Sequence, residues 1–260
     1  MQNTPLRNMP VPDPPVQKNT PMQKRRLVLA AVLLAAAAPA TIAAGVCLLH
    51  NQHTMLVSLL VLLESMLPFF LIFEHREPRV REMVLIAMMA AITAAANVIS
   101  AMTLPVYAGT AMVVVSGACL GPEAGFLVGA LARLIANFFQ AQGPWTPWQM
   151  FAWGVLGFLA GLLLRKRIPG RMAFAVYTFF SVFLIYGGIM NFGTLVMTSS
   201  ISGESTAMTW NMLLVTYAAG IPYDLTHAAA AAACTFLFGR RIAERIERIR
   251  IKYGFYRTGR

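Results

Sequence analysis

Four charged or imidazole side chains fall inside long apolar runs of the sequence: Glu64, Arg133, Asp224 and His227. A charge at membrane depth is costly, so such residues are candidates for function by default. Asp224 and His227 are three apart and therefore share one helical face. With Glu64 they could serve a membrane-embedded enzyme. Arg133 could instead pair with Asp224 across helices as a structural ion pair, and Glu64 reads equally as a carboxyl turned to a bundle interior. Asp224-x-x-His227 has no third ligand nearby in sequence, so no metal site is expected. The chain has no Gly-x-Ser-x-Gly elbow, no His-Glu-x-x-His and no paired acidic motif, which leaves catalysis with little support. It also has no Gly-x-x-x-x-Gly-Lys-Ser/Thr, so it does not hydrolyse ATP through a P-loop, and no cofactor is expected.

A second group of residues is uncharged. Gln140-Ala-Gln-Gly-Pro-Trp-Thr-Pro-Trp-Gln-Met150 separates two apolar runs rich in Gly and Ala. Pro144 and Pro147 restrict φ and remove two backbone donors. Trp145 and Trp148 offer large faces for stacking and indole N–H groups for donation. Gln140, Gln142 and Gln149 both donate and accept. Such a surface suits a large, uncharged ligand rich in amides or rings. An interfacial aromatic belt would account for the tryptophans but not for the glutamines and prolines around them.

The elements that must position these residues are apolar helices. Of 260 residues 58% are hydrophobic and only 12% charged, with a mean hydropathy of +0.63. Soluble domains carry about a quarter charged residues, so the composition is that of an integral membrane protein. Residues 1–23 are polar and Pro-rich and read as a disordered tail. Eight spans are expected: Leu27–Leu49, Met55–Phe73, Met83–Met102, a shorter segment from Gly109 to Leu120, Ala124–Phe139, Trp148–Leu164, Met172 to about Thr198, and Met208–Phe238, the last kinked at Gly220-Ile-Pro222. Leu27–Leu49 is longer than a signal-peptide core and reads as an uncleaved helix, despite Ala38-Pro-Ala40. The expected fold is an all-α membrane protein. Its parts are a tail (1–23), an N-terminal helical hairpin (24–81), a helical core (82–238) and a basic C-terminal helix (239–260) with Ile242, Ile246 and Ile249 on one side. Cys47, Cys119 and Cys234 stand singly in apolar runs and read as small hydrophobes.

Charge placement orients the chain. If the N-terminus is cytoplasmic, the inner segments hold Lys24, Arg25 and Arg26, then Arg76, Arg79 and Arg81, then Arg165, Lys166, Arg167 and Arg171, then every basic residue from Arg240 onward. The outer loops hold no Lys or Arg. This is a positive-inside pattern. It puts both termini in the cytoplasm and the Gln140–Met150 stretch outside, and it accounts for the net charge of +11 without nucleic acid. The basic C-terminal helix reads as an anchor on the lipid surface. Ala87, Ala91 and Ala95 recur at four-residue spacing, a small-residue ridge that lets another helix approach closely in lipid.

Gly121-Pro-Glu-Ala-Gly-Phe-Leu-Val-Gly-Ala130, Asn137-Phe-Phe and Gln142-Gly-Pro-Trp-Thr-Pro-Trp-Gln-Met-Phe-Ala-Trp-Gly154 together resemble the substrate-binding S-components of energy-coupling factor (ECF) vitamin transporters. Gly220-Ile-Pro-Tyr-Asp-Leu-Thr-His227 and Glu247-Arg-Ile-Arg-Ile-Lys-Tyr-Gly254 extend the likeness, which runs from about Leu67 to Gly254. The nearest group is the CbrT-like one, associated with cobalamin. The resemblance implies a six-helix S-component core, here Glu82–Phe238, preceded by two added helices, in the cytoplasmic membrane of a prokaryote. It implies capture of a vitamin outside, docking on a transmembrane coupling subunit, and release inside when two cytoplasmic ATP-binding subunits drive the subunit to topple. It also places the coupling-subunit contact on Ala87, Ala91 and Ala95.

The expected substrate is cobalamin or a related corrinoid, with Asn97, Tyr107, Gln142, Trp145, Trp148 and Gln149 lining the outer pocket and Arg133, Asn137 and Asp224 in support. The likeness departs at two places: the group often has a basic residue near Asn97 and an aromatic-Lys-Pro run near Tyr107, and this chain has neither. A different vitamin is the alternative within the class. A membrane-embedded enzyme built on Asp224 and His227 is the alternative outside it. A stand-alone secondary transporter would show inverted repeats, and the sequence has no clear internal repeat.

Overall fold

The computed structural model describes residues 40–41, 44, 54–75, 80–103, 107–164, 168–201 and 209–252. The polar tail 1–23 and nearly all of the first expected span, Leu27–Leu49, lie outside these residues, as does most of the loop expected at Ser199–Thr206. Among the described residues the secondary structure is helical throughout. In chain order the helices are α1 (Thr54–His75), α2 (Val80–Met102), α3 (Ala108–Leu120), α4 (Pro122–Gln140), α5 (Thr146–Leu164), α6 (Arg171–Phe180), α7 (Gly187–Ile201), α8 (Trp210–Cys234) and α9 (Arg240–Lys252). A π-helical turn, Ser181–Tyr186, joins α6 to α7, and another, Thr235–Gly239, joins α8 to α9.

Among the described residues, four helices are long and apolar enough to cross a membrane: Val80–Met102, Pro122–Gln140, Thr146–Leu164 and the continuous rod Arg171–Thr198. Between a third and just over half of each is buried. The rest is apolar and outward-facing, as lipid requires: Leu56, Leu60, Leu63, Leu67 and Leu71 form one such stripe on α1. Helix α8 has the length, but Tyr217, Tyr223, Asp224 and His227 lower its hydropathy. Helix α3 has 13 residues, about 20 Å at 1.5 Å per residue, against about 30 Å of hydrocarbon. Its flanks Met112, Leu120, Val113 and Val114 pack on neighbours on every side, and it is almost wholly buried.

The core is assembled by close backbone approach among α3, α4 and α5. A Cβ on Gly157 would meet the Gly125 carbonyl, and a Cβ on Gly125 would meet the Gly157 carbonyl. The two glycines thus let α4 and α5 touch main chain to main chain, the packing mode that lipid favours. Helix α4 starts after Gly121, whose φ of 101° suits glycine alone, and Pro122 occupies its first turn, where no backbone donor is lost to the helix. Helix α1 lies against this core through Leu62 and Met66, and Phe69 stacks on Phe126 at 3.9 Å.

Helix α8 runs through Gly220 and Pro222 as one helical segment, and α hydrogen bonding gives way to a π turn at Thr235–Gly239. The space beside Gly220 is filled by the Asn191 side chain. In α9 the buried seam is Ala243, Ile246 and Glu247, while Ile249 is 42% exposed and does not share it. Arg250 turns back to bond the Cys119 carbonyl at the end of α3 and the Glu247 carboxylate at 3.0 Å. A cation there satisfies a helix C-terminus.

Gly157→Ala therefore forces α4 and α5 apart, at a cost of about 1–3 kcal/mol. Gly188 has nothing within 4 Å of its missing Cβ, so Gly188→Ala leaves stability unchanged or raised. Thermal unfolding of the two variants in detergent checks the contrast.

Candidate ligand-binding site

The polar residues near the Gln140–Met150 stretch form one network around Arg133. Arg133 rises from α4 and donates from Nε to Gln149 Oε1 at 2.9 Å and from Nη1 to Gln140 Oε1 at 3.0 Å. Its guanidinium lies over Trp153 of α5, 5.3 Å from the ring centroid, a cation–π contact. Asn97 of α2 donates to the same Gln140 oxygen at 3.1 Å, and Asn137 donates to the same Gln149 oxygen at 2.8 Å. Asn97 and Asn137 are both buried. Three helices are tied together at this end by amide groups rather than by ion pairs.

The stretch itself is braced by Thr146. Its hydroxyl donates to Gln142 Oε1 at 2.9 Å and accepts from the Gly143 N–H and from Asn137 Nδ2, each at 3.1 Å. The Thr146 N–H bonds the Gly143 carbonyl at 2.9 Å, closing a tight turn ahead of α5. Gln142 also donates to the Leu134 carbonyl at 3.2 Å. Ala141 holds φ 83°, a conformation unfavourable for any residue with a Cβ. The loop is thus fixed by side-chain bonds on both flanks and carries local strain.

Beside this network lies a cluster of rings. Tyr107, at φ 50° just before α3, stacks on His227 of α8 with ring centroids 4.0 Å apart and 27° between planes. Tyr186, in the first π turn, meets His227 edge-on at 4.7 Å, and Tyr223 does so at 6.0 Å. His227 is 2% exposed, and its Nε2 lies 3.0 Å from the Thr110 hydroxyl. Its Nδ1 has no partner among the described residues. Trp153 and Tyr107 belong to one apolar cluster with Tyr186, so the ring cluster and the Arg133 network share a wall.

The residues expected to line a pocket are divided by the structure. Asn97 and Gln149 lie in the Arg133 network with Asn137, and Tyr107 lies in the ring cluster. Gln142 and Trp145 sit in the loop, with Trp145 39% exposed over Gly143. Trp148 is 6% exposed and faces away, against Leu62, Phe192 and Val196. Asp224 accepts from Asn191 at 2.8 Å. The expected pairing of Arg133 with Asp224 does not occur, because α7 places Asn191 against the carboxylate. Glu64 accepts from Thr41 at 2.6 Å. Asp224 and His227 have different partners, and among the described residues no three His, Cys, Asp or Glu side chains are grouped as metal ligands. Trp153, Tyr186 and Tyr223 did not stand out in the sequence as site residues, and Gln140 stood out as part of the polar stretch without being placed among the pocket residues. The signal for Gln140 was its place at the end of the apolar run that carries Arg133. Ala87, Ala91 and Ala95 are all exposed on α2, while Ala90 and Ala94 are buried.

Thr146→Val keeps the shape and removes the hydroxyl from three bonds. It is expected to cost about 1–3 kcal/mol and to speed amide exchange at Gly143 and Thr146 while the α4–α5 amides stay protected; hydrogen-exchange mass spectrometry reads both.

Comparison with known proteins adds one match. The family model described as "ECF-type riboflavin transporter, S component" matches residues 78–244, from just ahead of α2 into α9. No curated protein and no solved structure matches. S components are membrane-embedded substrate-binding subunits, not enzymes, and they work with a transmembrane coupling subunit and ATPases. The match covers well over half of the 260 residues, and the chain belongs to the ECF-type riboflavin transporter S component family.

Proposed function

We propose that the chain captures a vitamin at the outer face of a prokaryotic cytoplasmic membrane, between the Arg133 network and the ring cluster, and that both termini are cytoplasmic. The observation that carries this reading is the convergence of Asn97, Arg133, Asn137, Gln140 and Gln149 beside the stacked Tyr107 and His227. It combines hydrogen-bonding amides with flat apolar faces at one end of a helical bundle, the mixture that small-molecule sites use. The absence of Lys and Arg from the loops at that end supports the outward orientation.

The substrate we favour is cobalamin or a related corrinoid. A corrin ring bears many amide side chains, which the glutamines and asparagines complement, and the Gln142–Gly154 run resembles the cobalamin-associated group. The second reading is riboflavin. It is favoured by the family description and by the Tyr107, Tyr186 and His227 rings, which suit a planar heterocycle.

Delivery inward then follows from docking. Ala87, Ala91 and Ala95 present a small-residue face flanked by Val84, Met88 and Ile92, each about half exposed. A helix of the coupling subunit can approach such a face closely, and two cytoplasmic ATP-binding subunits supply the energy for toppling.

Tracer uptake by cells expressing the chain with a coupling module tests the substrate. Uptake of radiolabelled cobalamin above a riboflavin control is the expected result; riboflavin uptake alone selects the second reading. Ala91→Trp is expected to leave ligand affinity within about twofold, because the side chain is exposed, while abolishing uptake and co-purification with the coupling subunit. Normal co-purification of that variant would remove the ridge from the docking surface.

A further inference from the structure

We infer that Arg133 receives an acidic group of the ligand, a phosphate ester or carboxylate, in the place where the Gln140 amide oxygen now accepts. The inference rests on the reading of the chain as a ligand-capturing subunit and narrows its substrate class.

Arg133 is a cation in an apolar helix with no anion beside it. Its three contacts are two neutral amide oxygens and an indole face, and it forms no salt bridge among the described residues. The carboxylates at membrane depth are engaged elsewhere: Asp224 by Asn191 and Glu64 by Thr41. Cations held away from water are ordinarily paired with an anion or stabilised by several strong acceptors.

The donors around it point the same way. Four N–H groups converge on two amide oxygens: Arg133 Nη1 and Asn97 Nδ2 on Gln140, Arg133 Nε and Asn137 Nδ2 on Gln149. The second terminal nitrogen of Arg133, Nη2, has no acceptor among the described residues. An oxyanion accepts from such a fork more strongly than an amide does, and two oxygens of one phosphate or carboxylate span the guanidinium edge. Gln140 is the last residue of α4, and its unbranched side chain can turn out to admit such a group. Gln149 stays as the orienting acceptor on Nε. The adjoining rings of Tyr107 and His227 then shelter the apolar part of the same ligand. Cobalamin carries a phosphodiester and riboflavin carries no anion, so the two substrates differ in the feature that Arg133 reads.

The test uses the full chain in phosphatidylcholine nanodiscs and two ligand pairs: cobalamin with cobinamide, which lacks the phosphodiester, and flavin mononucleotide with riboflavin. In the pair that binds, the phosphate-bearing member is expected to bind about 10-fold more tightly or better. Inorganic phosphate should weaken that binding relative to chloride at equal ionic strength. Arg133→Gln should abolish the preference, and Arg133→Lys should keep part of it. Equal binding within the pair, or a preference that survives Arg133→Gln, overturns the inference while vitamin capture stands. If none of the four binds, the cobalamin and riboflavin readings both fall, and inorganic phosphate decides the Arg133 site alone. A rise in unfolding temperature with phosphate, present in the wild type and absent in Arg133→Gln, upholds the site; no rise in the wild type overturns it. Should Arg133→Gln fail to fold, the phosphate competition and Arg133→Lys decide between the same two outcomes.

Discussion

Helices in lipid gain little by hiding apolar side chains from one another, because the surrounding chains are as apolar as leucine. What remains is contact distance, and Gly125 opposite Gly157 sets it for this bundle. Once α4 and α5 meet at their backbones, the side chains just beyond the glycines are brought within hydrogen-bonding range. Arg133 of α4 and Gln149 of α5 are those side chains, and the Trp153 ring of α5 lies against the guanidinium. Glycine packing and the polar network are therefore consecutive turns of the same helix pair.

That arrangement also explains how a charge is kept at this depth. Each amide oxygen around Arg133 is held by a second donor, Asn97 or Asn137, so the acceptors are oriented before the guanidinium reaches them. The bracing of the adjacent loop by Thr146 fixes the start of α5 and with it Gln149. Neutral amides stabilise the cation without cancelling it, which leaves its field directed at the ring cluster on α8 and the π turn. The fold stabilises Arg133 well enough to keep it, yet leaves it able to respond to an incoming anion.

Much of the architecture was legible in the sequence because lipid selects on continuous properties. Long apolar runs mark α2, α4, α5 and the α6–α7 rod with boundaries off by at most three residues, and the Gln140–Met150 stretch stood out by composition. Its internal division did not. Trp145 and Trp148 have the same chemistry and differ only in which face of a helix start they occupy, so one is exposed over Gly143 and the other is buried against α1 and α7. The partners of charged groups were also hidden. Opposite charges invited a link between Arg133 and Asp224, whereas Asn191, an uncharged residue in an apolar run, takes the carboxylate. The bond between Asn97 and Gln140 joins residues 43 apart, and no local pattern announces it.

Helix α3 is about 10 Å shorter than the hydrocarbon it lies in, and Tyr107 at its start is already outside helical geometry. Backbone that leaves the helix at membrane depth is tolerated only where protein covers it or water reaches it. The short α3 thus begins beside the Tyr107–His227 stack, with Thr110 of its first turn against the imidazole. Lengthening α3 by two turns would carry Tyr107 away from His227, and the ring cluster would be lost with every side chain of the bundle unchanged.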